Sequence, residues 1–321
     1  MRGKVRMPIE KVLFDTDIGT DIDDALALTY LLCEPRCELL GVTTVTGEPE
    51  RRAEMVSAVC RHFGRGAVPV HVGCESALFI DMPQKQAQQA DALGTWPHKK
   101  FTRLNTAIAF LRETIRANPG EVTLLAVGPM TNIGVLFATD PALPALLKRL
   151  VLMCGRFHTA LGGEWNARCD PHAAAIAYGN TFHARPPLHV SYGLDVTTQV
   201  RLPSDEARER FAAIPALAPV RDFAEVWFSR CPQVTFHDPL AAVGLFDPDV
   251  CTYEDRFVDV SLAAPTMGWT VPRDEGKEQP HQLAVTVDPA RFFARFFDTL
   301  AAFAPSARRP ARRKRQPRAT T

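Results

Sequence analysis

Five aspartates lie within ten residues close to the start of the chain. The segment reads DTDIGTDIDD and follows a short apolar run, and its carboxylates belong to Asp15, Asp17, Asp21, Asp23 and Asp24. Carboxylates this close together repel one another unless a cation balances them. Ligands that are all oxygen atoms select a hard cation, Ca²⁺ or Mg²⁺. The cluster therefore predicts a metal or catalytic site in preference to a set of helix caps and solvated loop acids.

The spacing of this cluster excludes one common type of calcium loop. The twelfth position counted from Asp15 is Leu26, where an EF-hand requires a bidentate Glu. Gly19 permits a sharp turn out of the preceding strand, and either Asp23 or Asp24 is suited to cap the helix that follows. We expect the cluster to lie at a junction between a strand and a helix.

Two further segments carry polar residues at the starts of predicted helices. Residues 127–132 read VGPMTN, which predicts a tight turn with Thr131 or Asn132 as the helix cap. Asp170 precedes Pro171, and this pair is typical of an N-cap followed by the first helical residue. These residues are therefore interpreted as structural.

Two other segments combine residue types that suit a ligand pocket. Glu164 and Asn166 flank Trp165 just after two glycines, and His237 stands beside Asp238. A carboxylate and an amide beside an aromatic ring can hold a polar ligand. A histidine next to an aspartate before a helix is also consistent with a cap and a surface residue. Both segments are candidates for the site.

The elements that must position these residues are predicted from alternating apolar runs and amphipathic segments. Strands are expected at 12–14, 39–45, 68–72, 122–127, 149–154 and 188–191, and helices at 24–33, 51–63, 105–117, 131–138 and 171–178. Short apolar strands that alternate with helices indicate a parallel sheet covered on both faces, with ligands at the carboxyl ends of its strands. We predict an α/β fold, a single domain with a mostly parallel central sheet flanked by helices around a Rossmann-like core.

Loops near the strand ends supply further candidates. Residues 81–100 are polar and rich in glutamine, which predicts a long loop of the kind that often acts as a lid. Trp96, His98 and His158 lie on predicted loops. Each is interpreted either as a ligand contact or as a surface residue.

Composition and charge set the domain limits and exclude some classes of protein. Residues 305–321 hold seven basic residues and no acid, so leaving them out changes the net charge from +1 to −6. We predict a catalytic domain over 1–304 and a basic, disordered tail over 305–321. An acidic body disfavours a specific nucleic-acid surface, and the tail is expected to bind polyanions only weakly. Without a signal peptide, a membrane-spanning apolar run or paired cysteines, the chain is predicted to be cytoplasmic.

The aspartate cluster resembles the N-terminal signature of the inosine–uridine nucleoside hydrolase family, whose usual form is DTDPGxDDA. This chain is two residues longer between the glycine and the paired aspartates. The resemblance implies that Asp17 and Asp24 bind Ca²⁺ and that Asp17 is the base toward the attacking water. It also implies that Asp23 binds ribose hydroxyls, a role open to Asp21 as well because Asp21 lies in the extra turn.

Three later motifs resemble the family's GPLTN, EFN and HDA motifs, in the same order. This resemblance implies that the Val127 carbonyl and the Asp238 carboxylate complete the calcium shell. It implies that Glu164 and Asn166 bind sugar hydroxyls, and that His237 protonates or contacts the leaving base.

The chain departs from the family pattern at two further points. Pro239 stands where the family has Ala, which is harmless at a first helical position. Residues 158–162 read HTALG and lack the Asn of the family's GNxTP stretch, so one sugar contact is lost or replaced.

The resemblance implies a calcium-dependent enzyme that hydrolyses a ribonucleoside to free base and ribose, prefers ribose to deoxyribose and forms a homodimer or homotetramer. One alternative is a phosphatase of the haloacid dehalogenase class, because Asp15 and Asp17 form a DxD motif after a strand. Gly19 stands where that class has Thr or Val. The other alternative is a calcium-dependent nucleoside-binding protein without turnover, suggested by the lengthened loop and the missing Asn. The base preference is not predicted.

Overall fold

The protein is described here by a computed structural model that covers residues 8–158, 162–179, 188–276 and 280–303. Its strands are β1 (Glu10–Thr16), β2 (Cys37–Thr44), β3 (Val70–Val72), β4 (Val122–Ala126), β5 (Arg149–Met153), β6 (His189–Tyr192), β7 (Arg201–Pro203), β8 (Gln233–Thr235), β9 (Cys251–Val260), β10 (Thr270–Arg273) and β11 (His281–Val287). Its helices are α1 (Asp23–Cys33), α2 (Pro49–His62), α3 (Ala107–Ala117), α4 (Thr131–Thr139), α5 (Trp165–Cys169), α6 (Pro171–Ala177), α7 (Leu194–Thr197), α8 (Ser204–Ala212), α9 (Ala218–Phe228), α10 (His237–Gly244) and α11 (Pro289–Ala302).

Nine of the described strands form one sheet, in the order β10-β9-β11-β6-β5-β4-β1-β2-β3. The pairs from β11 to β3 are parallel, and β9 pairs with both β10 and β11 in the antiparallel sense. The two strands β7 and β8 form a separate antiparallel ribbon. The predicted α/β fold with a mostly parallel sheet is confirmed.

Strand β1 occupies the centre of the parallel part, where it pairs with β2 on one side and β4 on the other. Its last five residues are all buried, as expected for a strand covered by helices on both faces. The next helix along the chain, α1, is buried along its whole length. It packs against α2, α10 and α11. These neighbours bury the apolar side chains that α1 carries on nearly every side. This packing fixes the turn between β1 and α1.

Helix α11 closes the core beneath the start of α10. The ring of Phe236, the residue before α10, is fully buried and lies within 5.3–6.3 Å of four phenylalanine rings of α11. Contacts between aromatic edges and faces at this distance add to the stability that burial itself provides. The position of the first turn of α10 is thereby set by the core.

Every element predicted up to residue 191 is observed, with ends that differ by up to two residues. The predicted ranges stopped there, so the ribbon of β7 and β8, the antiparallel edge of β9, β10 and β11 and the helices α7, α8, α9 and α11 are additions, as is α5 earlier in the chain. Residues 305–321, predicted as a basic tail, lie outside the described part of the chain. Among the described helices, none has the length and apolar character to cross a membrane.

Candidate active site

A cavity of about 280 Å³ lies at the carboxyl edge of the sheet, beyond the ends of β1, β4 and β5. Fifteen residues line it: Asp17, Thr20, Asp21, Asp23, Asp24, Gln84, Val127, Met153, Glu164, Trp165, Asn166, Leu194, Trp227, His237 and Asp238. Asp17, Val127 and Met153 come at or just after the ends of their strands. The location agrees with the rule that ligands bind at the carboxyl ends of parallel strands.

The cavity brings together all the residues to which the family resemblance assigned a role in binding or catalysis. Four members of the aspartate cluster reach it from the turn after β1, and the fifth carboxylate of the cavity comes from Asp238 at the start of α10. Asp15 is different, because it is fully buried inside β1 and does not line the cavity. Its Oδ1 accepts hydrogen bonds from Thr43 and from Asn132, the latter at 2.7 Å. Burial raises the pKa of Asp15 to about 7.

A buried Asp15 argues against the phosphatase alternative. A dehalogenase-type nucleophile must reach its substrate, whereas this carboxylate is enclosed by the sheet.

Three of the cavity's carboxylates are close enough to share a metal ion. Asp23, Asp24 and Asp238 each offer an oxygen within 4.8 Å of the others, and the Asp238 backbone N–H donates to Asp23 Oδ2 at 3.3 Å. Burial raises the pKa of each of the three well above its usual value, and repulsion from neighbouring carboxylates raises it further. A buried group of oxygen donors with surplus negative charge fits a hard divalent cation.

The predicted calcium ligands were Asp17, Asp24, Asp238 and the Val127 carbonyl. In the structure the compact group contains Asp23, and Asp17 lies in the same cavity outside it. The Val127 carbonyl accepts a hydrogen bond from Asn166 Nδ2 at 2.6 Å.

The Asp17 carboxylate is held by a residue outside all the predicted motifs. Gln84 Nε2 donates to Asp17 Oδ2, and Trp165 Nε1 donates to Gln84 Oε1 at 2.6 Å. Burial raises the pKa of Asp17, while the charge of Arg52 and the hydrogen bond from Gln84 oppose the rise. On the other side of Asp17, a Cβ at Gly128 would lie 2.8 Å from Oδ1, so the close approach requires glycine.

Arg52 of α2 organises the lengthened turn. Its guanidinium is fully buried and donates to five oxygens: Gly47 O at 2.9 Å, Ile18 O, Thr20 Oγ1 and Gln86 O at 3.1 Å each, and Asp17 O. These acceptors are carbonyl and hydroxyl oxygens, so the guanidinium fixes the main chain of the turn and leaves the carboxylates available. Burial lowers the pKa of Arg52, and the charges of Asp17 and Asp24 oppose this.

The glutamine-rich stretch predicted as a loop packs against the same turn. The Gln89 backbone N–H donates to Gly19 O at 3.0 Å, and Gln89 Nε2 donates to Thr20 O at 3.2 Å. The Thr46 hydroxyl donates to Gln84 O at 3.1 Å. Within this stretch Gln88–Leu93 forms a 3₁₀ turn. The segment therefore supports the turn that carries the aspartates, and Gln84 is its residue that lines the cavity.

Glu164 and Asn166 tie together the strand ends beneath the cavity. Glu164 caps α5, because its carboxylate accepts from the backbone N–H groups of Asn166 at 2.7 Å and Ala167 at 3.0 Å. It also accepts from the Gly155 N–H at 3.2 Å. Asn166 Nδ2 donates to the Met153 carbonyl at 3.0 Å as well as to Val127 O. Both side chains line the cavity, and Asn166 links the end of β5 to the residue that follows β4.

His237 lines the cavity with a neutral ring. Its Nδ1 lies 2.7 Å from Thr197 Oγ1, and burial lowers its pKa to about 4. The imidazole is therefore uncharged at neutral pH, and Nε2 is the nitrogen left for a ligand.

The loop candidates Trp96, His98 and His158 do not line the cavity, so their interpretation as ligand contacts is wrong for this cavity. Trp96 Nε1 donates to Asp222 at 2.8 Å, and His98 Nδ1 lies 2.7 Å from the Trp96 carbonyl. His158 pairs with Glu254 at 2.6 Å. The tryptophans that do line it are Trp165 and Trp227.

Several predicted helix caps also differ. Ile22 and Met130 occupy the N-cap positions of α1 and α4 without a side-chain hydrogen bond, so the predicted caps at Asp23 or Asp24 and at Thr131 or Asn132 are wrong. The Asp170 cap is confirmed by a hydrogen bond from the Ala173 N–H at 3.0 Å.

The two residues predicted to cap α4 hold buried carboxylates instead. Thr131 Oγ1 donates to Asp170 Oδ2 at 2.8 Å, and Asn132 holds Asp15. Thr16 donates to Asp24 Oδ1. Together with Gln84 and Arg52, Thr16 and Asn132 are the supporting residues of the site that were not predicted.

Comparison with known proteins gives concordant matches. A family model described as inosine-uridine preferring nucleoside hydrolase matches residues 12–294. Pyrimidine-specific ribonucleoside hydrolase RihA of Klebsiella pneumoniae is 31% identical over 283 residues, covering 81% of this chain and 87% of the relative. Uridine nucleosidase 1 of Arabidopsis thaliana is 29% identical over 293 residues, covering 85% and 84%. The inosine-uridine preferring nucleoside hydrolase of Crithidia fasciculata is 28% identical over 318 residues, covering 91% and 97%.

Solved structures share the fold. A plant nucleoside hydrolase superposes with a TM-score of 0.78 at 24% identity, covering 92% of this chain and 100% of that one. An inosine-guanosine nucleoside hydrolase superposes with a TM-score of 0.79 at 19% identity, covering 92% and 99%.

Proposed function

Since the chain belongs to the inosine-uridine preferring nucleoside hydrolase family, whose members hydrolyse N-glycosidic bonds, we propose that it hydrolyses a ribonucleoside to free base and ribose in a calcium-dependent reaction. The observation that carries this proposal is the buried triad of Asp23, Asp24 and Asp238 within a cavity that also contains Glu164, Asn166 and His237.

The residues that would hold calcium are Asp24 and Asp238, with a third carboxylate from Asp23 or Asp17 and the Val127 carbonyl. Support comes from the oxygen-only donor set and from the surplus of buried negative charge. When bound, calcium supplies positive charge that polarises and orients oxygen ligands.

Asp17 is the proposed base. Its carboxylate lines the cavity, and burial raises its pKa, which makes it a better proton acceptor than an exposed aspartate. In the reaction a water oxygen bonds to C1′ of the ribose, the bond from C1′ to the base nitrogen breaks, Asp17 takes a proton from the water, and the departing nitrogen gains a proton to give the free base. The transition state resembles an oxocarbenium ion, so the surrounding carboxylates lower its free energy.

The remaining cavity residues are assigned by their chemistry. We assign Asp23 or Asp21 together with Glu164 and Asn166 to the sugar hydroxyls. His237 contacts the departing base through Nε2, since Nδ1 is engaged by Thr197.

Other parts of the proposal rest on the sequence. They are a catalytic domain over 1–304, a basic tail over 305–321, a cytoplasmic location and a homodimeric or homotetrameric assembly.

The proposal is tested by following inosine and uridine absorbance with added calcium and with a chelator, and by measuring released ribose. We expect turnover that the chelator abolishes and calcium restores, with the 2′-deoxynucleosides as poorer substrates. The Asp17→Asn variant should bind nucleoside and release little base. The absence of turnover on every common ribonucleoside and on nicotinamide riboside would contradict the proposal. A thermal shift with nucleoside but without hydrolysis would identify a binding protein instead.

A further inference from the structure

Gln84 lies in the long segment between β3 and α3, outside every motif that defines the site. Its side chain is only 5% exposed and connects two walls of the cavity. Nε2 donates to the catalytic carboxylate of Asp17, and Oε1 accepts from Trp165 Nε1 at 2.6 Å.

The chemistry of the two partners allows one orientation of this amide. An ionised carboxylate only accepts hydrogen bonds, and an indole nitrogen only donates them. The amide nitrogen must therefore face Asp17 and the amide oxygen must face Trp165. A flipped amide would oppose two acceptors at one end and two donors at the other, and burying unpaired polar groups is costly.

The other contacts of Asp17 do not replace this one. Arg52 binds the backbone carbonyl of Asp17, so it holds the main chain without fixing the carboxylate plane. The Asp24 side chain also forms a hydrogen bond with the Asp17 carboxylate. Asp24, however, is one of the three carboxylates proposed to bind the metal ion. Gln84 is a neutral donor anchored through its own backbone by Thr46.

We propose that Gln84 is a positioning residue that fixes the orientation of the Asp17 carboxylate and links it to Trp165. The inference rests on the proposed function, since it concerns the base of that reaction. Trp165 lines the cavity and is 48% exposed. A substrate that packs on this ring would therefore contact the residue whose hydrogen bond to Gln84 helps to orient Asp17.

The test is a double-mutant cycle on the full chain with saturating calcium. Gln84→Met keeps a side chain of similar length and removes both hydrogen bonds, and Trp165→Phe keeps a ring on the wall and removes the indole N–H. Gln86→Met is the matched control, because Gln86 is exposed and contributes its backbone carbonyl.

A misplaced catalytic group lowers the rate strongly, so we expect Gln84→Met to reduce kcat about 10- to 100-fold with a smaller change in KM. Trp165→Phe should reduce kcat less, and the double variant should be no slower than Gln84→Met alone. Unchanged calcium-saturated thermal stability would show that the loss is not one of folding. Gln86→Met should behave as the wild type does.

A second measurement, by NMR, tests the hydrogen bond between Gln84 and Trp165. The chain has four tryptophans, and the indole N–H cross-peak that disappears in Trp165→Phe identifies Trp165. This peak should move in Gln84→Met and stay in place in Gln86→Met.

Multiplicative losses of kcat in the double variant, an undiminished kcat in Gln84→Met or an unmoved Trp165 peak would each overturn the inference. If the wild type shows no turnover, the proposed function fails first and this inference fails with it. Wild-type turnover with an unaffected Gln84→Met refutes the inference alone.

Discussion

Replacing Asp238 by Asn should stabilise the calcium-free protein and destabilise the calcium-bound one. The carboxylate oxygens of Asp23, Asp24 and Asp238 lie within 4.8 Å of one another. At that distance two unit charges in surroundings of effective dielectric constant 20 repel by about 3.5 kcal/mol. Proton uptake by the cluster relieves part of this repulsion, so we expect a gain of about 1 kcal/mol in the free energy of unfolding without calcium.

The sign of the effect depends on pH in a defined way. The folded-state pKa of Asp238 is raised well above its ordinary value by burial and by the neighbouring carboxylates. The raised pKa of Asp238 therefore destabilises the calcium-free fold most above the folded-state pKa, and this penalty shrinks as the pH falls through the folded-state pKa and is gone below the unfolded-state pKa. The advantage of the Asn variant should fade in the same direction.

With calcium bound, the wild type should be more stable than Asp238→Asn. A ligand at 100 times its dissociation constant stabilises the folded state by about 2.7 kcal/mol, and the wild type should gain this amount. The variant loses one negatively charged ligand and should gain much less. Thermal or denaturant unfolding of both proteins, with chelator and with saturating calcium, measures all four free energies.

Asp170→Asn is the matched control. Asp170 is fully buried outside the cavity and accepts from Thr131 Oγ1 at 2.8 Å and from the Leu78 N–H at 2.9 Å. The Asn side chain keeps only one of the two acceptor oxygens of Asp170, so buried donors lose their partner, which should cost about 1–3 kcal/mol equally with and without calcium. The reasoning is refuted if Asp238→Asn behaves as this control does, with the same loss in both conditions.

Three further predictions concern residues around the site. In Gly128→Ala the new Cβ would lie 2.8 Å from Asp17 Oδ1, so kcat should fall sharply; undiminished turnover would show that the backbone yields. Phe236→Ala removes a fully buried ring and should lower the free energy of unfolding by about 3–5 kcal/mol, with a loss below 1 kcal/mol in denaturant titrations counting against the packing argument. Burial opposes ionisation of Glu10, but the hydrogen bonds from Lys148 and Thr123 and the charges of Lys148 and Arg149 hold its pKa below the ordinary value. Glu10 therefore stabilises the fold above its unfolded-state pKa, and this contribution is lost as the pH falls through the folded-state pKa. Glu10→Gln should cost about 1–2 kcal/mol at neutral pH, and an equal cost in acid would contradict the assignment.

The sequence predicted the parallel sheet because its strands are short apolar runs, and β1 and β4 are indeed buried throughout their apolar parts. Strand β9 escaped prediction for the opposite reason. It is an antiparallel strand with many partly exposed residues, so it has no continuous apolar run and its pattern is weak.

The lining of the cavity was predictable wherever a motif carries it. Asp17, Asp238, Glu164, Asn166 and His237 were all named from the sequence and line one cavity. Their convergence follows from the rule on strand ends.

The supporting residues were not predictable for physical reasons. Arg52 belongs to the charged run PERRAE, which is typical of a solvated helix face, yet its guanidinium is fully buried. Gln84 is one glutamine among several in a polar segment. Whether Trp96 and His98 contact a ligand was left open, because nothing local to a loop determines which way its chain turns. These positions depend on tertiary contacts rather than on periodicity.

The buried guanidinium of Arg52 has a consequence for how the proposed calcium ion would bind. Its hydrogen bonds to the turn between β1 and α1 are made by protein groups alone, so they do not depend on the ion. The conformational entropy of ordering that turn is therefore lost during folding and not again at binding. Calcium should enter a preorganised site quickly, with a small heat-capacity change and little movement of the backbone.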